Sequence, residues 1–199
     1  MRDLAAGVQR FQRDVFPAKA ELFADLANRH TPDTLFIGCS DARVVPELIT
    51  QREPGELFVI RTAGNLVPAH APYADGIAAS IEYAVAVLGV TDIVVCGHSA
   101  CGAMTALAER QDLTAAPAVA DWLRHADAAL ARTPDSTIGG ERVAALVRDN
   151  VLAQLAQLAT HPSVARALSR GALTLHGWVY DIATGAVEDV TAVPAVTAA

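Results

Sequence analysis

Residues 34–43 read TLFIGCSDAR and residues 92–102 read DIVVCGHSACG. In each stretch an unbroken apolar run of strand length (Thr34–Gly38, Asp92–Cys96) is followed by a short loop (Cys39–Arg43, Gly97–Gly102). Runs without polar alternation suit strands covered on both faces, as in a parallel sheet. Working outward, Leu57–Arg61 and Ala172–Asp181 read as further strands, with a short hairpin at Thr184-Gly185. Helical periodicity fills the gaps: Gly76 to Leu88, stopped by Gly89, then Ala103–Arg110, Val119–Ala131, Glu141–Thr160 and Ser163–Ser169. Pro46 suits the first turn of one more helix. Strands alternating with helices predict an α/β fold, a largely parallel central β-sheet flanked by helices. Ligands of such sheets bind outside the carboxyl ends of the strands. Cys39 and the segment His98–Cys101 both fall there, so two loops far apart in sequence can meet in space.

The chain ahead of the first strand has another character. Leu4, Val8, Phe11 and Val15 share one helical face, Pro17 interrupts it, and Leu22, Phe23 and Leu26 resume the stripe. We expect an N-terminal helical arm over 1–30 and a single α/β domain over 31–199. The arm carries more apolar surface than an isolated exposed helix should. The 199 residues are 52% hydrophobic and 19% charged, enough to bury a core without disulfide staples. The formal charge of −7 and an aromatic content of 5% argue against nucleic acid and anionic membranes as partners. The most apolar stretches, Ala78–Val90 and Ile93–Cys96, are too short to span a bilayer. The charged N-terminus lacks the apolar core of a secretory signal. Three cysteines, an odd number, fit a reducing compartment and ligation or catalysis better than a disulfide framework. A cytoplasmic location is the expectation.

Cys39, His98 and Cys101 form a candidate Cys2His metal set. Thiolate and imidazole are preferred zinc ligands, and three protein donors leave a fourth position open, as catalytic sites require. Along an extended segment Cys39, Asp41 and Arg43 can share a face. A carboxylate beside an arginine stays ionised and can orient a zinc-bound hydroxide. Two thiolates neutralise the ion, so its water should be less acidic than on an all-imidazole zinc, and Arg43 offsets the further charge of Asp41.

CSDAR (39–43), PGELFVIRTAGNLVP (54–68), IEYAV (81–85), GHSACGAM (97–104) and HGWVYDI (176–182) together resemble the β-class carbonic anhydrases. The likeness runs from about Phe11 to Ile182 and is nearest the plant-type subgroup, particularly bacterial enzymes associated with cyanate degradation. It implies a lyase hydrating CO2 reversibly to bicarbonate and a proton. One Zn2+ per chain would sit on Cys39, His98 and Cys101, and zinc-bound hydroxide would attack CO2 in an apolar pocket. It makes Asp41 and Arg43 the catalytic dyad and Phe58, Ala63 and Tyr83 the pocket, Tyr83 coming from a partner subunit, and it implies an N-terminal helix packed across that partner in a homodimer or higher homo-oligomer. His30 stands where the subgroup has a glutamine that donates to bound substrate. Thr62 replaces a usual asparagine. Phe36 replaces the tryptophan of the bicarbonate-regulated members, although Arg61 and Tyr180 match, so an inhibitory bicarbonate site is not expected. Some members let the aspartate close on zinc at low pH, which the Asp41/Arg43 pair permits.

Simpler roles compete. Cys96 reads as core filler. His70, His125, His161 and His176 read as solvated or structural, with His70 also a proton-shuttle candidate. Asp41–Arg43 could be a plain ion pair, and Phe58 and Tyr83 plain core. Two other functions stay open on the residues alone: a Cys39 nucleophile paired with His98, and a non-catalytic zinc domain. The first lacks the phosphate-cradling spacing between Cys39 and Arg43 and any glycine-rich loop.

Overall fold

The computed structural model describes residues 2–73, 75–134 and 138–192. It falls into two compact units, Met1–Thr31 and Pro32–Ala199. Met1 and 193–199, the outer ends of the expected arm and domain, lie outside the described residues.

In the first unit α1 (Arg2–Arg10) runs through a wider π-type turn, Phe11–Val15, and a tight segment, Phe16–Lys19, into α2 (Ala20–Leu26). Pro17 sits in the first turn of the tight segment, where its missing N–H costs nothing. Phe11, Phe16 and Phe23 gather into one aromatic cluster, the last two stacked at 5.3 Å. Leu4 and Val8 remain 76% and 56% exposed, so the stripe is not consumed within the unit.

The second unit holds strands β1 (Thr34–Cys39), β2 (Leu57–Thr62), β3 (Asp92–His98), β4 (Thr174–Tyr180) and β5 (Val187–Asp189). They form a five-stranded sheet in the order β2-β1-β3-β4-β5. The first four strands are parallel and β5 returns antiparallel to β4. The chain reverses its direction of travel across the sheet between β1 and β3, which makes their carboxyl ends the topological switch point.

Helices α3 (Pro46–Thr50), α4 (Gly76–Glu82), α5 (Gly102–Ala108), α6 (Pro117–Leu123), α7 (Asp127–Leu130), α8 (Gly139–Leu158) and α9 (Pro162–Ser169) complete the unit. Asp75 starts α4 by accepting from Ile77 N and Ala78 N at 2.8 and 2.7 Å. The helix widens over Tyr83–Leu88 and ends at Gly89 in the left-handed region. Leu35, Ile37, Ile93 and Val95 pack with Val151, Leu155 and Leu158 of α8 and Val164 of α9. The alternate residues Phe36, Val94 and Cys96 face the opposite way, toward Trp178 and Tyr180.

Two strands run further than the apolar runs suggested. β1 ends at Cys39 and β3 at His98, because register pairing continues through Gly97↔Val179 and His98↔Tyr180. Gly97 reads as a loop residue, yet here it lets α8 lie on the sheet. A Cβ at Gly97 would stand 2.9 Å from Val151 Cγ2. Cys39 and His98 are thus strand-end residues, held by the ladder. The helical run expected over Val119–Ala131 is broken into α6, a tight turn at Arg124–Ala126, and α7. Among the described residues no helix is long and apolar enough to cross a membrane.

Candidate metal centre

Gly38 pairs with Cys96, so the ends of β1 and β3 lie side by side. One donor atom each from Cys39, His98 and Cys101 lies within 4.8 Å of the other two. All three residues are buried, and both cysteines are packed in an apolar cluster with Leu66, Met104, Leu146 and Val147. Cys101 joins them because Ala100 turns in the left-handed region, φ +54°, bringing the chain back over His98 before α5 begins.

His98 settles what the cluster suits. Its Nδ1 lies 2.9 Å from the Ser99 carbonyl, a pure acceptor, so Nδ1 carries the proton and Nε2 presents a lone pair. That Nε2 is fully buried and has no hydrogen-bond partner among the described residues. A buried orphan nitrogen costs free energy unless something accepts its lone pair. Asp41 Oδ2 lies 3.9 Å away, a second acceptor facing the first. The thiols complete a set that wants positive charge. Cys39 is pulled down first by a hydrogen bond from the Cys101 thiol and further by backbone N–H groups, that of Gly64 among them, against its burial. Cys101 is pushed up by the same contact with Cys39 and by burial. Two sulfurs, one imidazole lone pair and a carboxylate beyond bonding reach form a donor set that a thiophilic divalent ion fits. The free state of all three cysteines in the chain is consistent with it.

Asp41 and Arg43 form a bidentate pair, Nε to Oδ1 at 2.9 Å and Nη2 to Oδ2 at 2.7 Å, with the Arg43 backbone N also donating to Oδ1 at 2.9 Å. These bonds, side chain first, hold the Asp41 carboxyl far below the usual carboxylate range. Arg43 Nη2 also donates to Ala100 O at 3.1 Å, tying the pair to the loop that carries Cys101. Arg61 spends its guanidinium on the carbonyls of Cys39, Asp41 and Val44. Phe36 lies buried with its ring edge-on to Trp178, centroids 6.4 Å apart.

The remaining expected site residues divide. Ala63 follows the last residue of β2 and lies beside the cluster, since the next residue, Gly64, donates its N–H to Cys39 Sγ at 3.4 Å. Phe58 and Tyr83 lie together, ring centroids 6.0 Å apart, but not at this chain's cluster. Phe58 is second in β2, and Thr62, which pairs with Cys39, is last, roughly 13 Å further along a parallel strand. His30 is exposed and belongs to the first unit. Among the other histidines, His161 is buried with Nε2 3.0 Å from Pro68 O, and His176 pairs with Asp92 at 2.8 Å. His70 is exposed with its ring edge-on to His161. Burial pushes the Cys96 thiol up to about 12, as befits a packed core residue.

Sequence reading passed over a set of groups around the Ala63–Asn65 turn: Trp122, Asn150 and Gln154. One signal was available. Asn150 and Gln154 are buried polar residues spaced one helical turn apart on a face of α8 otherwise made of Leu146, Val147, Val151 and Leu155.

Residues 34–187 match the family model described as carbonic anhydrase. A carbonic anhydrase of Pseudomonas aeruginosa is 62% identical over 190 residues, covering 94% of this chain and 86% of that one. The solved β-carbonic anhydrase CcaA superimposes with a TM-score of 0.91 at 42% identity, covering 95% of this chain and 86% of that one. A structure from a report on two tetrameric β-carbonic anhydrases of Sordaria macrospora matches with a TM-score of 0.72 at 32% identity, covering 96% and 93%.

Proposed function

The chain belongs to the β-class carbonic anhydrases, enzymes whose general reaction is the hydration of CO2, and we propose that it carries out this reaction on a single zinc ion held by Cys39, His98 and Cys101. The observation that carries the reading is the buried, unpartnered Nε2 of His98 within 4.8 Å of two sulfurs. Bound zinc would supply Lewis acidity, making hydroxide available near neutral pH.

The chain's own residues do the rest. Asp41, kept ionised by Arg43, acts as an acceptor at the cluster; with Oδ2 3.9 Å from His98 Nε2 it takes the hydrogen bond of a hydroxyl group and fixes its orientation. Arg43 holds that carboxylate off the cluster through both its oxygens. Ala63 lines the apolar side where CO2 waits. Phe58 and Tyr83, remote from their own chain's cluster, complete the pocket of a partner subunit in a homo-oligomer, an assembly that the tetrameric Sordaria enzymes support. The released proton passes to buffer. Free cysteines and the reaction's soluble substrates suit the cytoplasm.

Zinc analysis with CO2-hydration kinetics on wild type, Cys101→Ala and Asp41→Asn tests the proposal. One zinc per wild-type chain with fast hydration is expected. Cys101→Ala should lose both, and Asp41→Asn should keep the metal while turnover falls about 100-fold. Metal-free wild type that is alkylated at Cys39 by an electrophilic substrate would replace the reading with a cysteine nucleophile. Zinc without turnover would leave a binding domain.

A further inference from the structure

Gly64 N–H, the donor to Cys39 Sγ, shares a planar peptide unit with the Ala63 carbonyl, the two on opposite edges. The carbonyl edge of this unit is held by Trp122, whose Nε1–H donates to Ala63 O at 2.9 Å. The next peptide is held as well, Asn150 Nδ2 donating to Gly64 O at 3.0 Å. Asn150 in turn accepts from Gln154 Nε2 at 2.9 Å, and Gln154 Oε1 accepts from Val67 N at 2.8 Å. The turn itself leaves no slack. Gly64 has φ +73°, and a Cβ there would stand 2.9 Å from Ala103 Cβ.

We propose that Trp122 is a positioning residue for the metal centre: by gripping the Ala63–Gly64 peptide it aims Gly64 N–H at Cys39 Sγ and sets the donor strength of that sulfur. The inference rests on Cys39, His98 and Cys101 being the metal ligands. An N–H···S bond draws electron density from a thiolate and restrains its direction. Donation into the carbonyl end polarises the same amide and strengthens its N–H. Outer partners of this kind are worth about 10- to 100-fold in metal affinity. Packing alone does not require an indole here. Trp122 is half-buried on α6 with its ring edge-on to His125 at 5.0 Å, a place a phenyl ring would fill. The N–H is the part a phenyl ring lacks.

The test uses the whole chain loaded with Co2+, whose thiolate-to-metal charge-transfer band reports sulfur donor strength independently of turnover. Trp122→Phe should move the band to longer wavelength as the sulfur regains electron density, and the lost restraint on the direction of Cys39 Sγ should outweigh that gain and weaken metal retention against a chelator about 10-fold. Asn150→Leu, which frees the neighbouring peptide, should move the band the same way. Leu158→Ala, a cavity in the same long helix away from the turn, should lower the melting temperature and leave the band in place. A wild-type band and affinity in Trp122→Phe would overturn the inference while leaving the metal reading intact. A shift in Leu158→Ala equal to that in Trp122→Phe would overturn it as general loosening. Absence of any thiolate band in wild type would overturn the metal reading and this inference with it.

Discussion

His98 ends β3, and His176 lies near the start of β4, the neighbouring strand. Each imidazole has an aspartate near its Nε2. At the carboxyl end, Asp41 stands 3.9 Å from His98, its oxygens occupied by Arg43, and the ring is wholly buried. At the amino end, Asp92 Oδ1 meets His176 Nε2 at 2.8 Å, and both side chains are about one-third exposed (39% and 32%). The same two residue types stand at a cluster that could hold a metal ion in one place and form a direct hydrogen-bonded contact in the other. What separates them is an arginine that claims the carboxylate first, and burial that leaves the ring nitrogen without a hydrogen-bond partner among the described residues. A site is defined by which groups remain unspent.

The widest gap should appear on deleting each ring. His98→Ala is expected to drop metal content from one per chain to a small fraction and to slow CO2 hydration roughly a thousand-fold or more. His176→Ala should keep metal and turnover and lose less than about 1 kcal/mol in urea unfolding, since a part-exposed pair is screened by solvent. Comparable kinetic loss in both variants would erase the distinction between the two ends. Gly64→Ala probes the backbone side of the difference. Its positive φ and the close Ala103 should cost about 1–2 kcal/mol in stability, read as a lowered urea midpoint. A midpoint equal to wild type would mean that the turn does not hold the cluster end.

The smallest effect lies in acid. Asp92 is held below the ordinary carboxylate range first by the hydrogen bond from His176, then by the Thr91 hydroxyl, against partial burial. Asp189 faces the same imidazole from β5. A carboxylate with a lowered folded-state pKa adds stability above its unfolded pKa near 3.9, and that stability is lost as pH falls through the folded value. Asp92→Asn should therefore be less stable than wild type near neutral pH by under about 1 kcal/mol. The gap should close below about pH 4 in urea titrations. A gap of constant size from pH 7 to pH 3 would show that the Asp92 charge does not contribute.

Much of this was legible in the primary structure, for definable reasons. The runs Leu35–Ile37 and Ile93–Cys96 announce buried parallel strands because no polar residue interrupts them. Gly89 marks a helix end because its left-handed conformation favours glycine. Gly97 misled, since a glycine in a strand shows its purpose only when α8 is seen lying against it. Asp75 was passed over although its cap is local, and a carboxylate just ahead of an apolar helical run was the available sign. The span between Phe58 and Thr62 was readable as a number of residues, but that it separates Phe58 from the cluster emerged with the register of β2 on β1.

The amino-acid sequence by itself determined the chemistry on offer: two thiols and an imidazole with metal-ligand spacing, and a carboxylate with its arginine, all following apolar runs of strand length. These are properties of side chains and of their near neighbours in the chain, which local composition carries. Only the tertiary structure decided that β1 and β3 lie side by side and that Nε2 of His98 is the lone pair left over. It also decided that Trp122 grips the peptide behind Cys39. Those facts depend on strand register and on α8 packing against Gly97, contacts between segments whose separation along the chain no local pattern records.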